Sequence, residues 1–161
     1  MRLIIRRAEA ADAEIIADHN CALAWETEQV QLPPAIVLAG VRTGLRQAPE
    51  VRYFVAELNG AVVGQLMFSR EWSDWRNGWI VWLQSVYVST DHRQQGVFRQ
   101  LFEESVAEIV REDSPVCLRL YVEQQNKAAS SCYERLGFAA DNYRVMEKPM
   151  RAATADDSSV N

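Results

Sequence analysis

Between an apolar run that ends at Val88 and a helical pattern that begins near Val97 lies Arg93-Gln94-Gln95-Gly96, a polar turn holding an arginine and a glycine. Leu83, Val86 and Val88 read as buried strand, whereas Phe98, Leu101, Phe102, Ser105, Val106, Ile109 and Val110 recur at i, i+3, i+4, i+7 spacing. The turn therefore presents its backbone at a helix start, where the first N–H groups lack internal acceptors and the helix dipole is positive. A glycine in the approach lets an anion reach those groups, so phosphate binding is the chemistry this spacing supports. The cradle would be the backbone of Gln94, Gln95, Gly96, Val97, Phe98 and Arg99, with Arg93 or Arg99 adding charge. Taken alone, the same turn also reads as an ordinary strand-to-helix connection with solvated arginines.

A second segment narrows the choice. Asn126, Ala129, Tyr133, Gly137 and Phe138 lie in order within NKAASSCYERLGF. Together the two segments resemble the GNAT family of N-acetyltransferases. Its acyl-CoA pyrophosphate loop reads Gln or Arg, two residues, Gly, one residue, then Gly or Ala, and its downstream signature reads N-x-x-A-x-x-x-Y-x-x-x-G-F. Phe98 departs from the small residue usual at the loop's last position. The resemblance implies a single α/β domain over residues 1–150. Its mixed central sheet would have an antiparallel N-terminal part, a βαβ unit with a cofactor cleft, and helices on both faces. The implied reaction is direct transfer of an acetyl group from acetyl-CoA, as cosubstrate, to a primary amine of a small molecule or protein. Val86 and Val88 would hold the pantetheine through their backbone, and Tyr133 would be the acid that protonates the departing thiolate. Family members often dimerise through sheet edges, so a homodimer is a further expectation.

The residues themselves leave alternatives. Tyr133 lies on an apolar helical stripe and reads equally as a core aromatic; Asn126 reads as a cofactor contact or as the cap of its own helix. Many relatives carry a carboxylate on the strand before the loop, but Trp79 to Val88 contains none. Glu26, Glu28, Glu71 and Glu123 are the candidates for a base, each also readable as a solvated charge. Glu26 comes first because it falls where the acceptor would enter and would attract an ammonium ion. Trp25, Trp72 and Trp75 near these acids form either an aromatic wall for an amine with an apolar body or packing against a hairpin or partner.

The elements that must position these groups are legible in order. Leu3 to Ile5 reads as a first strand, and Asp12 as the cap of a helix carrying Ile15, Ile16, His19, Leu23 and Glu26. Pro34 opens a second helix. Val51–Leu58 and Ala61–Phe68 flank Asn59-Gly60, a two-residue hairpin signal. Strand, helix and strand from Val81 through Val110 to Val116–Val122 form a βαβ unit, which requires parallel pairing. A helix from Asn126 would end at Gly137, Phe138 to Lys148 would supply the last strand, and residues 151–161 would be a disordered tail.

Composition sets outer limits. A chain of 161 residues with 48% hydrophobic residues is enough for one domain with a sizeable core. The net charge of -5 disfavours nucleic acid and anionic membrane as partners and is compatible with a cationic acceptor. Three cysteines without C-x-x-C spacing, and His19 and His92 standing apart, give no metal cluster and indicate reduced thiols. With no membrane-length apolar run and no signal-peptide order, a cytoplasmic location is expected. A second functional reading is a non-enzymatic acyl-CoA-binding or partner-binding module, which would keep the loop without needing efficient proton transfer.

Overall fold

The computed structural model describes residues 2–150. Five strands, β1 (Leu3–Arg7), β2 (Val51–Leu58), β3 (Ala61–Ser73), β4 (Gly78–Val88) and β5 (Cys117–Leu120), lie in chain order across one sheet. The first three pairings are antiparallel and β4 with β5 is parallel. This is the mixed sheet expected from Asn59-Gly60 and from the βαβ unit. Asn59 and Gly60 both take positive φ, 52° and 83°, the geometry of a type I′ turn whose twist matches its strands.

Alternation along the strands gives each sheet face its own core. On one face Phe54, Leu66, Phe68, Val81 and Leu83 pack against Val97, Leu101, Phe102 and Ile109 of α3 (Val97–Asp113). On the other face Tyr53 and Val55 pack with Ala13, Ile16 and Ala17 of α1 (Ala13–Glu28) and Val41 of α2 (Pro34–Gly44). Pro34 does occupy the first turn of α2, where its missing N–H would have had no partner. The far end of α3 is tied to the sheet by Arg52, 3% exposed, which pairs with Asp113 and with Glu112 at 3.1 Å. These ties fix the C-terminal end of α3 against β2.

Two expectations fail. Asp12 precedes α1 but caps nothing there; its carboxylate accepts from Arg6 and from the Glu9 N–H, which closes a short 3-10 turn over Ala10–Asp12. Phe138 to Lys148 forms no strand among the described residues. That segment follows α4 (Lys127–Arg135) and makes no backbone ladder with β5, whose outer edge stays unpaired. The strand expected at Val116–Val122 is shorter, Cys117–Leu120. The expected tail at 151–161 lies outside the described residues.

Candidate active site

The site is built where β4 leaves its neighbours. Pairing with β5 runs only from Ile80↔Cys117 to Leu83↔Leu120, so the last residues of β4 have no strand partner on that side. On its other side β4 slips register against β3 between Gln65↔Tyr87 and Met67↔Gln84, leaving Ser85 and Val86 opposite Leu66. This is a β-bulge, and Ser85 sits in it at φ 51°. A non-glycine residue in that region costs roughly 1–2 kcal/mol, so the surroundings must over-determine it.

A buried amide supplies part of that restraint. Gln65, fully buried, directs its Nε2 to Asn20 Oδ1 at 2.7 Å and to the Ser85 carbonyl at 3.4 Å. With its nitrogen committed, its oxygen faces His19 Nδ1 at 3.1 Å, which must carry the ring proton. The other ring nitrogen lies 3.5 Å from Ser89 Oγ, and the ring packs 4.8 Å from that of Tyr87. Burial pushes the His19 pKa down, so the imidazole is neutral at neutral pH. Tyr87 donates in turn to Glu26 at 3.2 Å. The sequence places His19 and Glu26 on one helix, but nothing local in it joins them to Gln65, Ser85 or Tyr87.

Beyond β4, a short turn over Thr90–His92 leads to Gln94 at φ 60° and Gly96 at φ 82°, and α3 begins at Val97. The Gly96 carbonyl accepts from Gln100 at 3.1 Å, so the N–H groups of Val97, Phe98 and Arg99 precede the first helical hydrogen bond. A Cβ added at Gly96 would meet no heavy atom within 4 Å, so the space beside this glycine is open. The side chains around it are already engaged. Arg93 turns back, its Nε donating to the Val88 carbonyl at 2.7 Å and its Nη2 pairing with Glu26 at 2.7 Å. Arg99 pairs with Glu103 at 2.8 Å and Gln95 donates to the Asp91 carbonyl at 2.8 Å. What the turn offers an anion is therefore its backbone. Phe98, the departure from the loop pattern, lays its ring against Phe102 and Tyr133, with centroids 5.9 and 6.1 Å away.

Tyr133 on α4 is framed by Phe98 and Phe138 at the margin of the α3-side core, where Val86 and Val88 also pack. Desolvation pushes its pKa up to about 12. Asn126 caps α4, its Oδ1 accepting from the Ala129 N–H at 3.1 Å. Of the candidate carboxylates, Glu26 stands in the Arg93–Tyr87 cluster, Glu28 is exposed at the end of α1, and Glu123 accepts from the Gln125 N–H. Glu71 accepts from the Trp82 indole at 2.7 Å, and Trp82 stacks on Tyr121 at 4.5 Å. Trp82, Gln84 and Ile80 share one face of β4, and Ile80 belongs to the sheet face opposite α3. The carboxylate beside an aromatic pair is thus Glu71 on β3; Trp72 instead packs edge-on to Trp79, and Trp75 is exposed. The described residues bring together no three His, Cys, Asp or Glu side chains able to hold a metal ion.

A bulged β4 whose end is unpaired on the β5 side leads into an open glycine turn at a helix start, and comparison with known proteins places the chain that carries them. Residues 14–138 match the family model "Acetyltransferase (GNAT) family". The chain belongs to this family. A possible acetyltransferase from Clostridium difficile 630 is similar over 94% of this chain and 99% of its own, at 37% identity and a TM-score of 0.84. The ribosomal-protein-alanine N-acetyltransferase of Brucella melitensis biovar Abortus 2308 shares the fold at 20% identity, TM-score 0.74, over 91% of this chain and 99% of its own. So does a predicted acetyltransferase with acetyl-CoA from Clostridium acetobutylicum, at 13% identity and TM-score 0.74, over 91% and 96% of the two chains. No curated protein matches the sequence. Among the described residues no helix is long and apolar enough to cross a membrane.

Proposed function

We propose that this GNAT acetyltransferase transfers an acetyl group directly from acetyl-CoA to a primary amine on a small molecule or protein. The observation that carries the reading is the continuity of three features: a β4 end with no partner on its β5 side, the bulge at Ser85, and the open turn at Gly96. A pyrophosphate fits the turn because the N–H groups of Val97 to Arg99 have no helical acceptor and the space beside Gly96 is open. The unpaired backbone around Val86 and Val88 suits an extended amide-bearing arm, which would take the place of a neighbouring strand. Acetyl-CoA supplies the thioester whose carbonyl the amine attacks.

The proton inventory falls to the chain. Tyr133 stays protonated throughout the working range and donates toward the leaving sulfur. Glu26 is the candidate acceptor of the amine proton, held in place by Arg93 and reached through the Tyr87 hydroxyl. Glu71, beside Trp82 and Tyr121, supplies a negative charge next to an apolar wall on the acceptor side.

The engagement of Glu26 by Arg93 and the lack of any carboxylate on β4 favour a second reading, an acyl-CoA-binding module without turnover. Incubation with acetyl-CoA and a panel of amines, following free thiol and acetylated product, separates the two. Amine-dependent thiol release is expected, with alkyl and aromatic amines showing higher kcat/KM than compact polar ones. Bound acetyl-CoA with no release for any amine would decide for the module.

A further inference from the structure

On the sheet face opposite α3, the two helices cover only part of the surface. The apolar cluster beneath α1 and α2 takes in Met67 of β3 but no residue of β4 or β5. Beyond it that face presents Ser69 and Glu71 of β3, Trp82 and Gln84 of β4, Arg119 of β5 and Tyr121 just past it, all alternating with the core that faces α3. Side-chain contacts fix this strip. Gln84 donates to Ser69 Oγ at 3.2 Å and the Trp82 indole to Glu71 at 2.7 Å, while Trp82 carries the Tyr121 ring at 4.5 Å and the Arg119 guanidinium at 5.7 Å. One end of the strip meets the bulge at Ser85. The other runs into a pocket of about 250 Å3 bordered by Glu71, Ile80, Arg119, Trp75, Arg76 and Tyr143. Trp75 is 89% exposed, and an indole left in water beside a pocket is apolar surface that a ligand would cover favourably. The charges lining the pocket, Glu71 and Asp74 against Arg76 and Arg119, cancel, so it selects no net charge. What it offers is aromatic and guanidinium surface, both of which stack on a ring.

We propose, resting on acetyl transfer to a primary amine, that the acceptor is long, with its amine beside Gln84 at the bulge and an uncharged aromatic group in the pocket at Trp75. The strand sets the length: Gln84 and Ile80 are separated by about 13 Å of extended chain. A shorter amine reaches the bulge or the pocket but never both. The connecting arm crosses the Trp82–Tyr121 stack, whose indole N–H is already taken by Glu71, so apolar atoms suit it. An extended peptide and a long alkyl chain both meet these terms, because amine, ring and separation are all that the strip and the pocket specify.

The test compares phenylethylamine with phenyldecylamine as acceptors for the full chain, in the wild type and in Trp75→Ala. Trp75 is exposed in the turn between β3 and β4, so the variant should keep the wild-type unfolding temperature. The long amine is expected to exceed the short one in kcat/KM by about tenfold or more in the wild type, through KM, and the ratio should fall to near one in the variant. A second arm, a peptide amide with phenylalanine in fifth place against its alanine counterpart, tells a peptide source from an alkyl one by which arm shows the Trp75-dependent gain. Equal kcat/KM for long and short acceptors in the wild type, or a gain that survives Trp75→Ala, overturns the proposal. Binding is followed separately: with CoA bound, phenyldecylamine should quench tryptophan emission in the wild type and far less in Trp75→Ala. That difference without turnover of any amine would count against acetyl transfer and leave the pocket assigned. No quenching in the wild type, or equal quenching in both proteins, overturns the pocket itself.

Discussion

At the scale of single residues, Tyr133 is the position where two readings of the sequence turn out to describe one side chain. It packs as a core aromatic between Phe98 and Phe138, and that packing pushes the pKa of an already neutral hydroxyl up to about 12. The same burial limits it as an acid. A phenol at about 12 gives a proton to a thiolate, whose ordinary value is near 8.5, only uphill. Its contribution should therefore sit at the low end of the range for general acids. Tyr133→Phe is expected to lower kcat about a hundredfold with acetyl-CoA affinity unchanged. Wild-type turnover in that variant, with chemistry shown to be rate-limiting, would leave Tyr133 as packing alone. The Phe98 substitution in the loop pattern was visible in the sequence, but its tolerance was not. Only the fold shows that the ring lies against Phe102 and Tyr133.

At the scale of elements, the β4 bulge is the feature that sequence patterning could not supply. Asn59-Gly60 announces its turn because both positions need positive φ, and asparagine and glycine accept it cheaply. Ser85 takes the same region with no such signature, in the middle of an apolar run. Its restraint comes from Gln65 on β3 and, behind Gln65, from His19 and Asn20 on α1, residues remote from it in sequence. Replacing Gln65 by Leu leaves Asn20 and His19 without their buried partner, which costs about 1–3 kcal/mol of stability. It should also lower kcat more than it raises the KM for acetyl-CoA, because the bulge positions the reacting end of the cleft while the phosphates are held elsewhere. Equal losses in both parameters would mean that Gln65 serves the fold only.

At the scale of the whole molecule, the antiparallel hairpin and the parallel β4–β5 pairing followed from turn chemistry and hydrophobic period, and the helical layers on both faces from the family resemblance. The exception was the C-terminal strand, whose pairing partner cannot be read from a local pattern. The described ionisable groups also predict how the fold meets acid. His19 is held neutral by burial, so its pKa lies below the ordinary value of about 6.5. The unfolded chain then binds the extra proton first, and stability present above that pH declines as pH falls below it. Asp12, lowered by Arg6, and Glu112, lowered by Arg7 and Arg52 despite desolvation, hold their contribution until pH falls below the ordinary carboxylate range near 4. Thermal unfolding across pH should show two acid steps, the upper one absent in His19→Gln. The account as a whole rests on the open turn at Gly96, and acetyl-CoA binding measured by thermal unfolding tests it most directly. Acetyl-CoA at 100 times its dissociation constant should stabilise the wild type by about 2.7 kcal/mol. Gly96→Val, which places a branched side chain in the open side of the turn, should remain folded and lose that shift. An undiminished shift in Gly96→Val, or none in the wild type at millimolar acetyl-CoA, would contradict it.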